Sequence, residues 1–239
     1  LMVMQGLAKS REQAGSLLMS GKVFVNQKRV EKSGQQVPID SKIDLKGKTH
    51  PWVSRGGIKL EKAILEFNLN CESVTALDIG ASTGGFTDVL LANGADKVYA
   101  VDVGYGQLDW KLRQDKRVIV KEKTNARFLT NQIITDPLDA IVCDASFISL
   151  KKVLPSGLKL LKNNGWLAAL IKPQFEVGKG LVGKGGVVRN PELHNEVKND
   201  IKNWVQFEMK MNLLGIVDSP ILGPSGNKEF IIVATKLLN

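Results

Sequence analysis

Cysteine and histidine are scarce in this chain, with two of each among 239 residues. Cys71 and Cys143 are too few for a disulfide scaffold, and His50 and His194 do not join them at metal-ligand spacing, so no metal is expected. Long apolar runs are missing too. None approaches the length that spans a bilayer and no signal peptide heads the sequence, so no membrane association is expected and the cytoplasm is the default location. The chain opens on Leu1 rather than an initiator Met, and a few native residues are expected to be absent. Nothing in the pattern fixes an oligomeric state; a monomer is favoured.

Positive charge, by contrast, is plentiful and uneven. Residues 1–57 hold ten Lys or Arg (Lys9, Arg11, Lys22, Lys28, Arg29, Lys32, Lys42, Lys46, Lys48, Arg55) against four acids (Glu12, Glu31, Asp40, Asp44), which is +6 of the formal net +9. A basic segment of this kind suits a polyanion, most directly nucleic acid, with a merely solvated face as the plain alternative. The remaining composition, 43% hydrophobic and 24% charged, is that of an ordinary soluble domain. The length allows one good core and a small second module.

The organising stretch is Ala76-Leu77-Asp78-Ile79-Gly80-Ala81-Ser82-Thr83-Gly84-Gly85-Phe86-Thr87-Asp88. An apolar run from Val74 meets a carboxylate, a glycine-rich turn follows, and a helix-forming segment from Phe86 to Leu91 comes next. This is the strand-loop-helix layout of a nucleotide-binding α/β unit. A dinucleotide fingerprint fails, because Ser82 stands where the pyrophosphate requires glycine; a phosphate loop fails, because no Gly-Lys-Ser/Thr follows. An acid at the strand tip suits a cationic or amine-bearing ligand. The combination resembles the first motif of the S-adenosylmethionine-dependent methyltransferases, and Asp102, ending the run Val98-Tyr99-Ala100-Val101, is placed like the acid that holds ribose hydroxyls. The resemblance makes Asp78, Gly80, Ser82, Gly84, Gly85, Phe86, Asp102 and Asp144 the cofactor-binding candidates.

Before that stretch, Ser10-Arg11-Glu12-Gln13 has the form of a capping box that opens a helix through Met19, ended by Gly21. Short strands are expected at Lys22–Asn26, around Arg29-Val30 and at Ile43–Leu45. Two short helices and a small basic sheet are expected over residues 1–47, with a linker at 48–53 and a larger domain over 54–239. The order Gly6-Leu7, Ser10-Arg11, Ala14, Gly21, Val23, Val25-Asn26 resembles the small RNA-binding domain first named for a small-subunit ribosomal protein, the alpha-L fold. That resemblance makes Lys9, Arg11, Lys22 and Lys28 RNA-contact candidates, and Arg55 joins them; as a set they favour phosphate positioning over base reading.

In the larger domain an amphipathic helix carries Leu60, Ile64 and Phe67 on one face. Strands are expected at Val118–Val120, Asp139–Asp144 and Gly165–Lys172, helices at Leu150–Leu161 and Glu192–Met211, and final strands at Leu214–Asp218 and Glu229–Thr235. This alternation predicts an α/β fold: a Rossmann-like sheet, mainly parallel, with helices on both faces and a closing antiparallel hairpin, preceded by the small α+β RNA-binding domain. Ligands of such sheets bind beyond the carboxyl ends of the strands, where Asp78, Asp102, Asp144 and Lys172 fall.

Methyl transfer from a strong electrophile asks the protein to position an acceptor and remove its proton. Exocyclic-amine methylation typically uses Asn/Asp-Pro-Pro-aromatic after the fourth strand, whereas this chain has Asp144-Ala145-Ser146-Phe147. Pyrimidine carbon-five methylation needs an accessible nucleophilic Cys. Cys143 lies inside an apolar strand, where an inert thiol is expected. Lys59, Asp144, Lys172 and Glu229 remain, and in that order they resemble the Lys-Asp-Lys-Glu tetrad of the FtsJ-like ribose 2'-O-methyltransferases. A ribose hydroxyl is a poor nucleophile until its proton leaves, and a lysine accepts it only when a nearby ammonium and partial burial favour the neutral form. The resemblance implies Lys172 as general base, Lys59 as neighbouring cation, and Asp144 and Glu229 as orienting groups.

Closer still, Ser54-Arg55-Gly56-Gly57-x-Lys59-Leu60, Asp102-Val103-Gly104-Tyr105-Gly106-Gln107-Leu108, Thr124-Asn125-Ala126-Arg127, Cys143-Asp144-Ala145-Ser146-Phe147-Ile148-Ser149 and Lys172-Pro173-Gln174-Phe175-Glu176 resemble the TlyA family, as do the domain order and Gly226-Asn227-x-Glu229-Phe230. The family implies S-adenosylmethionine as cofactor and methylation of ribosomal RNA, free or within ribosomal subunits, at cytidine 2'-hydroxyls. One departure is Lys123, where the family often has arginine. Two rivals stand beside this reading: a membrane-active hemolysin, a label family members also carry, and a noncatalytic RNA-binding ribosome assembly factor.

Overall fold

A computed structural model describes residues 1–237 except 9, 20, 31, 33, 46–49 and 224–225. The chain forms two compact units, Leu1–Pro51 and Trp52–Asn239. In the first, helix α1 (Arg11–Met19) precedes strands β1 (Val23–Val25), β2 (Lys28–Arg29) and β3 (Ile43–Leu45), ordered β2-β1-β3 and antiparallel throughout. Asn26 and Gln27 take positive φ in the tight turn between β1 and β2. Met2, Ala8 and Val23 form its small core with Leu7, Ala14, Leu17 and Ile43 against them. Only one helix exists here among the described residues; in place of a second, residues 1–7 make overlapping turns closed by three backbone hydrogen bonds. The expected linker at 48–53 lies partly outside the described residues, as does Lys9.

In the second unit, β4 (Thr75–Ile79), β5 (Lys97–Val101), β6 (Val118–Lys121), β7 (Leu138–Cys143), β8 (Leu161–Ile171), β9 (Met211–Asp218) and β10 (Phe230–Lys236) build one sheet. Its order is β6-β5-β4-β7-β8-β10-β9. Neighbours from β6 to β8 pair parallel, and β10 runs antiparallel to both β8 and β9. Strand residues alternate between two cores, as a pleat of period two requires. Ala76, Val98, Val142, Leu170 and Ile231 face α2 (Gly56–Phe67) and α3 (Gly85–Ala92); Leu77, Ile79, Ile141, Leu167 and Phe230 face the other way, toward α6 (Pro155–Leu160) and α8 (Pro191–Asn203).

Two expected helices differ. The segment Leu150–Leu161 breaks into α5 (Leu150–Val153) and α6, because Pro155 has no N–H to continue the first and suits the opening position of the second. The helix expected through Met211 stops as α-helix at Asn203, widens into a π-helical turn over Trp204–Glu208, and ends at Lys210 with φ of 51°. Trp204 and Val205 enter the core, and Met211 begins β9 three residues earlier than expected.

Candidate active site

Three parallel strands end in register. Ile79 pairs with both Val101 and Cys143, so the residues that follow, Gly80, Asp102 and Asp144, emerge side by side at the carboxyl edge. Across the sheet Ile171 of β8 faces Phe230 of the antiparallel β10, which sets Lys172 beside Glu229. Lys59 comes from the first turns of α2, packed on the same edge.

These placements bring four charged side chains together. Lys59 Nζ donates to Glu229 Oε2 at 2.7 Å and lies 3.7 Å from Asp144 Oδ2. Lys172 Nζ lies 2.6 Å from Asp144 Oδ1 and donates to the Asp144 carbonyl at 3.1 Å and to Ser146 Oγ at 2.9 Å. Asp144 is therefore shared between two lysines. Lys59, Lys172 and Glu229 are 6%, 5% and 1% exposed, so charges of either sign are held almost out of water and offset one another. Gly223 makes the approach to Glu229 possible, since any β-carbon there would collide with the Glu229 carboxylate.

The glycine-rich turn lies directly alongside. Gly80 has φ of 78°, and a β-carbon on it would come within 2.9 Å of the Ala145 backbone, so the turn can pass the β7 end only as glycine. Gly85 admits Ser54, whose Oγ would clash with any side chain there. Asp102 Oδ2 accepts the Ser82 N–H at 2.8 Å and Oδ1 accepts the Gly104 N–H at 2.7 Å, which ties the turn to the loop after β5 and leaves each oxygen one further lone pair. Asp78 is fully buried. Its Oδ2 accepts both the N–H and the hydroxyl of Thr87, its Oδ1 has no partner, and burial pushes the carboxyl up to about 7.

Two cavities meet at this turn. A cavity of about 550 Å³ is lined by Asp102, Gly104, Gln107, Asn125, Ala126 and Phe147; one of about 300 Å³ is lined by Ser54, Lys59, Asp78, Gly85, Phe86 and Lys172. Gly80, Ser82, Asp144 and Ser146 line both. The pair suits a ligand with a nucleoside half and an amine-bearing half: the Asp102 oxygens sit in the larger chamber, and the buried, unpartnered Asp78 Oδ1 borders the smaller. Such a donor set fits S-adenosylmethionine.

All eight sequence-derived cofactor candidates fall on this edge or in this turn. Of the RNA-contact candidates, Arg11 and Lys28 are exposed, Lys22 is half-buried, and Arg55 is exposed and lines the smaller cavity. Ser146, Ser54 and Gln107 carry no role legible from sequence, although each stands in a motif noted above. Gln107 accepts from Ser82 Oγ at 3.3 Å, a contact between loops that no local pattern signals. Both cysteines are buried, and burial pushes the thiols up to about 11 for Cys71 and about 12 for Cys143, which excludes a thiolate nucleophile. Among the described residues there is no group of His, Cys, Asp or Glu able to hold a metal ion, and no helix long and apolar enough to cross a membrane.

Comparison with known proteins decides the family. The model of the FtsJ-like methyltransferases matches residues 52–236, and that of the S4 domain matches residues 1–43. A Mycobacterium tuberculosis protein named 16S/23S rRNA (cytidine-2'-O)-methyltransferase TlyA is 44% identical over 97% of this chain and 86% of its own length. The chain belongs to the TlyA family of FtsJ-like methyltransferases. Another relative of this TlyA-family chain, Hemolysin A of Brachyspira hyodysenteriae, is 40% identical over 95% of this chain and 94% of its own. A solved structure from Streptococcus thermophilus, carrying a provisional hemolysin designation, superposes with a TM-score of 0.79 at 43% identity, covering 99% of this TlyA-family chain and 86% of that one.

Proposed function

We propose that this chain is an S-adenosylmethionine-dependent ribosomal RNA methyltransferase that modifies a cytidine ribose 2'-hydroxyl, with Lys172 as general base. The observation that carries this reading is the chain of alternating charges Lys172, Asp144, Lys59 and Glu229, of which the first three line a cavity shared with the Gly80–Phe86 turn. The name of the Mycobacterium tuberculosis relative supports the RNA and the cytidine hydroxyl.

S-Adenosylmethionine, when bound, supplies an electrophilic methyl group. Asp102 would hold ribose hydroxyls of that cofactor, and Asp78 Oδ1 its ammonium. Lys172 Nζ accepts the proton of the acceptor hydroxyl, and the Asp144 carboxylate at 2.6 Å offsets the charge that forms on it. Glu229 fixes Lys59, and Lys59 and Lys172 flank Asp144 from two sides, which fixes where Lys172 points. Of the two groups that accept hydrogen bonds from Lys172, the Asp144 carbonyl and the Ser146 hydroxyl, only the hydroxyl can also donate, so it can turn and bond the neutral amine. Ser146 thus keeps Lys172 aimed in both protonation states.

The test is transfer of labelled methyl from S-adenosylmethionine to isolated large and small ribosomal subunits, with the product mapped by resistance of one phosphodiester to alkali. Label at a single cytidine 2'-oxygen supports the reading. Label on a base, or none with folded and cofactor-bound protein, overturns it. Two of the compared proteins carry hemolysin names, and leakage of liposomes tests that reading for this chain. Dye retention by liposomes exposed to the protein is expected.

A further inference from the structure

Between α7 (Pro173–Glu176) and α8 the chain crosses the sheet edge as a strap, Val177-Gly178-Lys179-Gly180-Leu181-Val182-Gly183-Lys184-Gly185-Gly186-Val187-Val188-Arg189-Asn190. It leaves directly from the Lys172 helix and is tied down at both ends. At one end Glu176, its carboxyl held above the usual carboxylate range by burial, accepts the Ser149 hydroxyl at 2.6 Å and the Leu150 N–H at 2.8 Å. At the other, buried Asn227 accepts the Val188 N–H at 3.1 Å and donates to the Gly186 carbonyl at 2.9 Å, while His194 Nε2 donates to the Val188 carbonyl at 2.8 Å. Asn227 lies two residues before Glu229, and the His194 ring packs edge-on against Phe230. The strap is thus bonded to the segments that carry both Lys172 and Glu229.

Between its anchors the strap faces outward. Gly178 and Gly180 have ordinary negative φ, and a β-carbon on either would meet no atom of the chain within 4 Å, so neither backbone strain nor internal crowding asks for glycine there. Glycine in the open instead leaves backbone N–H groups approachable from outside. The strap carries Lys179, Lys184 and Arg189 and no acid, and Lys184 and Arg189 are exposed.

We propose that this strap is the cradle for the sugar–phosphate backbone of the RNA strand that presents the acceptor ribose, and that Asn227 is a positioning residue that holds it. The inference rests on the methyltransferase reading above and names the acceptor-side surface of the same site. Phosphates approach the Gly178–Gly180 backbone, the exposed basic side chains offset their charge, and the Asn227 clamp fixes the distance from that strand to Lys172.

The test compares wild type with Gly180→Val, Lys184→Glu and Asn227→Ser in steady-state methylation of ribosomal subunits, with cofactor affinity by calorimetry and thermal stability measured alongside. Gly180→Val has open space within the protein, so an unchanged Tm and unchanged cofactor affinity are expected, with KM for RNA raised on the order of fivefold and kcat held. Lys184→Glu is expected to raise KM and to flatten the dependence of log KM on log salt by about one unit of slope. Asn227→Ser is expected to raise KM in the same direction. If Gly180→Val and Lys184→Glu both leave KM and its salt dependence unchanged while wild type methylates RNA, the strap is no cradle. If wild type itself methylates no RNA, the underlying reading fails first.

Discussion

Lys59 and Glu229, 170 residues apart in sequence, meet at 2.7 Å with almost no solvent access to either side chain. Removing one partner strands the other charge in the interior. Lys59→Met and Glu229→Leu are each expected to lower stability by about 3–5 kcal/mol, while the double variant recovers most of that loss, because two apolar groups replace a pair whose desolvation was costly. Urea denaturation of the four proteins measures it. Activity is expected to stay absent in the double variant, since Asp144 then lacks its second cation.

Burial pushes Asp78 from its ordinary range up to about 7, so the folded protein without cofactor keeps a proton there that the unfolded chain releases near pH 4. Native protein binds the extra proton between those values, and its stability falls as pH rises from about 4 to about 7, levelling above. Asp78→Asn is expected to flatten that slope, most visibly as a higher Tm than wild type at pH 8 without cofactor. Equal slopes of Tm against pH in the two proteins would show that Asp78 is not the titrating group.

Asp102 holds the Ser82 and Gly104 amides and borders the larger cavity. Asp102→Ala is expected to weaken S-adenosylmethionine binding by at least about tenfold, roughly 1.4 kcal/mol, with the sheet intact. Calorimetric titration with circular dichroism as control checks both parts.

Ser146→Ala removes a hydrogen-bond partner of Lys172 that can donate as well as accept. A fall in kcat on the order of tenfold with little change in KM is expected, and Ser146→Thr is expected to restore much of it. Steady-state kinetics at saturating cofactor decide the point.

Much of this arrangement was legible in the sequence, for reasons that differ from element to element. Asp102 and Asp144 each directly follow an apolar strand, so their common edge followed from parallel topology. Cys143 read as inert for the same reason. Asp78, read from sequence as a strand-tip acid, lies instead inside β4 level with Ala100 and Val142. The meeting of Lys59 with Glu229 was named only by resemblance, because it depends on β10 entering antiparallel between β8 and β9, which no local pattern dictates. The break at Pro155 and the π-helical end of α8 show the limit of periodicity: apolar spacing marks a helical stretch but not the register at which proline or a widened turn divides it. Asn227 and Gln107 stand in motifs that carry the family resemblance, yet their roles were not legible there, since their partners are backbone or loop groups distant in sequence.

In the proposed mechanism Lys172 takes a proton rather than merely contributing charge. Single-turnover methylation by wild type, Lys172→Ala and Lys172→Arg, each saturated with cofactor and with RNA binding verified, tests it most directly. Arginine keeps the charge but does not release its proton at working pH. Both variants are expected to bind cofactor and RNA yet transfer methyl about 10²–10⁴ times more slowly than wild type. A Lys172→Arg protein that transfers methyl near the wild-type rate would contradict this mechanism, leaving Lys172 a fixed cation and assigning proton removal elsewhere.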